Sequence, residues 1–416
     1  MAVLVLVLAA SCTSEPERRD LPDVDIDVPA DPTTDASTGP TPTVASDVAD
    51  LPGRLAILNA SGDLVTMDPD GSHELVLDEV EAGRSQVRQP TWSPDGRSVG
   101  WVHVEITEAG ALSAAVDTST GHGTRPTEAR TAVVPFYLSW DPTSSRIAYL
   151  ASPSEAAIEL GILEVAGRSA GTPLDAGQPF YLSWGPNGDQ LLVHVGEDRL
   201  ERLDLDGSLT TIAKRPGTFS APVWTADGRT FVYASIDAGD QRLVVRDAEA
   251  PRERPVVPYE GLIAFVVSPD GDRIAFQVLE PERTLPLSVI DVGTGETVEI
   301  TDHAIGSFFW SPNGERLLFL DADPDPEQLW YRWGVWDGTS SFLTPRFVPS
   351  ELIAFDYLQY FEQYAQSMSL WSPDSSAFAY PGTNEEGEEG IWIQSARANR
   401  AAVLVTEGAF VAWSPV

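Results

Sequence analysis

A phrase of the form Trp-Ser-Pro-Asp-Gly, followed by a short apolar strand, recurs eight times in this chain. The copies start at Trp92, Trp140, Trp184, Trp224, Val267, Trp310, Trp371 and Trp413. Successive steps are 48, 44, 40, 43, 43, 61 and 42 residues. A period near forty is the mark of a repeat architecture, in which each unit buries its apolar face against its neighbours. Ser-Pro-Asp-Gly is a tight turn: Pro presets φ at the second position and Gly takes the left-handed φ that closes it. Seven residues after each of the first seven anchors a strand resumes, as in Val99-Gly-Trp101, Ile274-Ala-Phe276 and Leu317-Leu-Phe319. Apolar residues two apart lie on one face of a strand. Each phrase therefore reads as a hairpin.

Two further strands fit between hairpins. After Val267 they are Pro286–Asp291 and Thr297–Thr301, with a turn at Gly293–Glu296. Four strands per repeat of this length predict an all-β fold, a β-propeller of four-stranded blades. Counting inner strands gives eight blades, or seven if one weak copy is not a full blade. Residues 53–79 offer three strands without a preceding Trp phrase, and Ala409–Val416 offers one inner strand. Three plus one makes a blade. The ring is therefore expected to close by pairing Phe410–Trp413 with the strand around Leu55–Asn59.

These phrases resemble the WD-repeat-like propeller repeats of the TolB family, over residues 53–416. The α/β domain that TolB-type proteins carry before the propeller has no counterpart in these residues. The Tol–Pal role is accordingly not carried over. Dipeptidyl-peptidase-type enzymes join a related propeller to a hydrolase domain, and that domain has no counterpart here either.

The first residues read as targeting. Met1–Ser11 is a short apolar run ending in small residues, and Cys12 is the sole cysteine. The run is too short to span a bilayer and has the character of a secretory signal. Ala9-Ala10-Ser11-Cys12 resembles a bacterial lipobox, which implies lipidation of Cys12. Its departures are Ala9, where Leu is commoner, and the lack of a preceding Lys or Arg. Residues 12–52 are rich in Pro, Asp, Thr and Ser and read as a disordered tether. The expected layout is signal peptide 1–11, lipidated tether 12–52 and propeller 53–416, on a monomer anchored in the cell envelope.

Net charge is −37, and Lys214 is the only lysine. Such acidity argues against a nucleic-acid backbone as partner, and against an anionic membrane surface except through a lipid anchor. There is no nucleophile elbow, phosphate loop or His-Glu-x-x-His. His73, His103, His122, His194 and His303 show no ligand spacing. Asp321–Glu327 and Glu385–Glu389 lack the Gly-centred loop that wraps calcium, and read as solvated hairpin tips. No catalytic residue, metal or cofactor is expected. The alternative is a propeller lyase or hydrolase with a metal in the channel; the resemblance to propeller lyases implies histidines used in that way, with His303 on the appropriate face.

The step from Trp310 to Trp371 carries an insertion at 350–366. Ser350 is a plausible N-cap, and Ile353, Tyr357, Phe361 and Tyr364 recur at helical spacing. Tyr360-Phe-Glu-Gln-Tyr364 resembles a phrase of lipoprotein-like members of the family. A short helix over the top face is expected, with Tyr357, Tyr360, Phe361 or Tyr364 towards the channel mouth. Phe136-Tyr137 and Phe180-Tyr181, in the twin phrases Pro-Phe-Tyr-Leu-Ser-Trp, begin inner strands near that mouth. These eight aromatics form the expected binding face for an envelope protein, peptide or glycan.

The anchor is directly testable. Cys12→Ala is expected to move the protein from the membrane to the soluble fraction, and intact mass should show acyl chains on residue 12 of the wild type.

Overall fold

A computed structural model describes residues 48–123, 126–154, 157–167, 173–213, 215–325 and 328–416. The signal segment, Cys12 and residues 13–47 of the tether lie outside the described residues. The chain is a β-propeller of antiparallel blades. Blade one holds Leu55–Leu58, Leu64–Met67 and Leu75–Asp78 together with the C-terminal Phe410–Trp413. Leu55 lies opposite Trp413 and Leu58 opposite Phe410, the three-plus-one pairing expected from the strand count.

Blades two to six follow in order, each of four consecutive strands, with inner strands Ser85–Trp92, Pro135–Trp140, Phe180–Trp184, Val223–Trp224 and Leu262–Val267. Blades seven and eight share one eight-stranded sheet, because Phe347–Pro349 pairs with both. Blade eight departs from the pattern. Its inner strand shrinks to a single bridge, Trp371 to Phe378, beside Ala377–Asn384, Glu389–Ser395 and Val403–Thr406. Among the described residues, no helix is long and apolar enough to cross a membrane.

The repeated phrase does two things. Its fifth position has positive φ in the first seven copies: Gly96, Ser144, Gly188, Gly228, Gly271, Gly314 and Ser375. The two serines accept the strain that glycine avoids. In exchange, each hydroxyl accepts a hydrogen bond from the preceding blade, Ser144 from the Asp95 amide and Ser375 from the Asn313 amide, both at 3.1 Å.

The tryptophans join the blades. Trp92 donates its indole N–H to the Ala412 carbonyl, Trp140 to Thr91, Trp184 to Ser139, Trp310 to Val266 and Trp371 to Phe309. Each acceptor stands one residue before the anchor of the preceding copy. Trp413 instead reaches the Pro52 carbonyl at 2.9 Å. Val48 is buried beside Leu55 and Trp413, so residues just before Gly53 also pack on this blade.

Deleting residues 409–416 should lower the melting temperature sharply, because it leaves Leu55–Leu58 as an unpaired edge. The gentler Phe410→Ala, at a fully buried ring, should cost about 3–5 kcal/mol in urea unfolding.

Candidate functional site

The insertion forms short pieces of helix where a single helix was expected. They are Glu351–Asp356, a 3-10 turn at Leu358–Tyr360, and Phe361–Tyr364. Ser350 caps the first: its hydroxyl accepts from the Ile353 amide and donates to the Ala409 carbonyl. The helix breaks because the segment turns inward to meet the inner strands, which a straight rod lying over the face could not reach.

Inner strands of six blades meet it, the residue just before the inner strand of blade five meets it too, and blade eight follows it in the chain. The Tyr364 hydroxyl donates to Gln89 Oε1, and the Thr91 hydroxyl to the Ser367 carbonyl, in blade two. Gln89 sits at a bulge with φ +54, a rare conformation for a side-chain-bearing residue. In blade three the Tyr137 hydroxyl bonds to the Gln363 carbonyl and side-chain amide. In blade four Gln363 accepts from the Leu182 amide and donates to the Leu182 carbonyl, both at 2.8 Å. Gln366 donates to the Pro222 carbonyl beside blade five, and Glu362 accepts from the Phe265 amide of blade six. Phe361 packs on Phe308 of blade seven, and Tyr357 on Phe410 of blade one. A segment that touches inner strands in this way stands on the axis they surround.

The eight aromatics read from sequence divide accordingly. Tyr137, Phe180, Tyr181, Tyr357, Phe361 and Tyr364 are buried, while Phe136 and Tyr360 are 37% and 43% exposed. Phe355, on the outer side of the insertion, is 65% exposed. The polar side chains Glu362, Gln363 and Gln366 are the residues that sequence reading missed. Polar residues in an insertion ordinarily face water, so the sequence alone carried no signal for them.

Glu362 is 4% exposed, and burial pushes its carboxyl up to about 8, with the Phe265 amide working weakly against that rise. His194 is buried too. Burial lowers its imidazole to about 4, so it is neutral, and Nδ1 donates to the Ser220 carbonyl. His303 lies between Asp302 and Asp321, at 2.6 and 2.7 Å. Burial disfavours its charge, but the two carboxylates outweigh this and raise its pKa. Asp323 pairs with both Arg332 and Arg346, so that carboxylate of the acidic run is held by two guanidinium groups.

Among the described residues, one group has the donors for a metal ion: Asp78, His103 and Asp117. It sits off the axis, on the outermost strand of blade one and the middle strands of blade two. Burial and the neighbouring Asp78 push the Asp117 carboxyl up to about 7. The hairpin across Glu108–Gly110 brings two of the three together: its register sets Asp117 opposite Trp101, two residues from His103.

Fold and axis together define an eight-bladed propeller whose channel is filled by its own chain. No family model matches the sequence. No curated protein matches it either. Solved structures do. One described as "the eukaryotic initiation factor" aligns with 87% of this chain and 98% of its own, at 12% identity and TM-score 0.50. A prolyl endopeptidase aligns with 80% of this chain and 50% of its own, at 12% identity and TM-score 0.51. TolB from Acinetobacter baumannii aligns with 68% and 76%, at 13% identity and TM-score 0.41. At such identities the likeness is one of fold.

Glu362 gives the axis a pH signature. Its folded pKa lies above the ordinary 4.5, so the folded state holds the proton more tightly. The stability this contributes is complete below about pH 4.5 and is lost as pH rises through about 8. Glu362→Gln should flatten that decline: melting curves from pH 5 to 9 should converge with wild type at the acid end and run above it at pH 9.

Proposed function

We propose that this chain is a non-catalytic binding module, held outside the cytoplasmic membrane by a lipidated N-terminal tether, which meets another envelope protein, a peptide or a glycan on the insertion face. The observation that carries the reading is the pairing of a filled axis with exposed aromatics beside it. The inner strands spend their free polar groups on Glu362, Gln363 and Gln366. A small-molecule pocket on the axis would have to displace that segment. Phe136, Phe355 and Tyr360, in contrast, leave large apolar area in solvent on or beside the insertion. Rigid aromatics offer contact area at low rotamer cost and dominate recognition hot spots.

The enzymatic alternative calls for acidic and imidazole groups converging in the channel. Among the described residues, the one metal-competent group stands on outer and middle strands instead. Extracytoplasmic placement rests on the lipobox-like start and the tether. The acidic surface suits a soluble disc that does not settle on anionic lipid.

The test is capture of partners from envelope extract by the full chain, with Phe136→Ala/Phe355→Ala/Tyr360→Ala beside it. Each ring is partly in water, so the melting temperature should fall by no more than a few degrees. Affinity for the captured partner should fall at least about tenfold, roughly 1.4 kcal/mol. Undiminished capture would place the binding surface elsewhere.

A further inference from the structure

We propose that Asp78, His103 and Asp117 bind a divalent transition ion of the zinc–manganese class in the cleft between blades one and two. One donor atom from each residue lies within 4.8 Å of the others. Donors bonded to one ion at roughly 2.0–2.2 Å lie about 3 to 4.3 Å apart according to the angle between them, so a modest side-chain shift would bring all three onto one ion. The scaffold for that shift is already fixed. Trp101 is fully buried and donates its indole N–H to Asp78 Oδ2 at 2.6 Å. The same oxygen meets His103 Nδ1 at 2.8 Å. These two hydrogen bonds hold the Asp78 carboxylate and the His103 ring in place beside the cavity.

An independent observation points to a cation. Asp117 Oδ1 is shut off from solvent and, among the described residues, has no hydrogen-bond partner. A buried carboxylate oxygen without a donor is strongly unfavourable, and a metal ion is one of the few groups that answers it. The nearby guanidinium does not. Arg130 pairs with Glu128 at 2.7 Å, stands 4.0 Å from Glu105 and donates to Ser113. These residues and the three donors line one cavity of about 220 Å³, which leaves room for water to complete the coordination shell.

The donor set selects the ion. One imidazole with two carboxylates suits zinc or manganese; calcium and magnesium prefer oxygen throughout, and soft ions want thiolate. The ion would tie the outermost strand of blade one, which carries Asp78, to the middle of blade two. Blade one is where the N-terminal and C-terminal strands share a sheet. A metal there would brace blade one against blade two.

The full chain, stripped with chelator, is titrated with manganese chloride and with zinc sulfate by calorimetry. Asp117→Asn and His103→Gln are titrated in parallel. One saturable site per chain is expected, at least tenfold weaker in each variant, with metal raising the melting temperature of the wild type alone. Glu385→Gln/Glu386→Gln, on an exposed hairpin tip, should bind as wild type does. Absence of a saturable site below millimolar metal would overturn the proposal. So would equal affinity in both cluster variants, since that marks diffuse attraction to an acidic surface. Should Asp117→Asn fail to fold, His103→Gln decides alone, provided its metal-free melting curve matches the wild type.

Discussion

A strand that faces the axis of a propeller has one edge with no neighbouring strand. Its amides and carbonyls must find partners there or stay in contact with water. In this protein the answer is a stretch of its own chain. Gln363 takes both backbone groups of Leu182, Glu362 takes the amide of Phe265, and Gln366 takes the carbonyl of Pro222. A side-chain amide suits this role because it offers donor and acceptor together, as a strand backbone does. The burial of Tyr357, Phe361 and Tyr364 follows from those bonds, which draw the segment inward between the blades.

The second constraint is the indole chain. Each of five tryptophans bonds to the carbonyl one residue before the preceding anchor. This explains why the phrase keeps tryptophan rather than any large apolar residue. The chain of bonds is interrupted at blades five and six. The Trp224 indole N–H is buried without a partner among the described residues, and Val267 has no indole to offer. Apolar packing takes over there, with Val232, Leu243, Phe265 and Ile274 in one cluster.

The repeat made the fold legible. A fixed period, a turn with a defined φ and apolar pairs two residues apart are local signals, and they carry into the structure everywhere but the inner strand of blade eight. The blade shared by the two ends was legible as well, because strand counts are additive. Less legible was the inside of the ring. Tyr357, Phe361 and Tyr364 were visible as a helical stripe, yet a stripe does not say whether it packs on a surface or enters it. The deciding residues, Glu362 and Gln363, are polar, and polar residues in an insertion ordinarily signal solvent. Asp78, His103 and Asp117 come from three strands of two blades, so no spacing rule in a single segment would find them.

Repeat proteins ordinarily behave as a row of nearly independent units, each coupled only to the next, so that they can unravel from one end or lose one unit at a time. The axial segment removes that freedom. It contacts inner strands of blades one to four, six and seven, and the residue just before that of blade five, and leads directly into blade eight. No blade can leave without stripping partners from a stretch that all the others also hold. A molecule assembled by repetition is thereby expected to unfold as one body, its linear architecture converted into a hub with spokes.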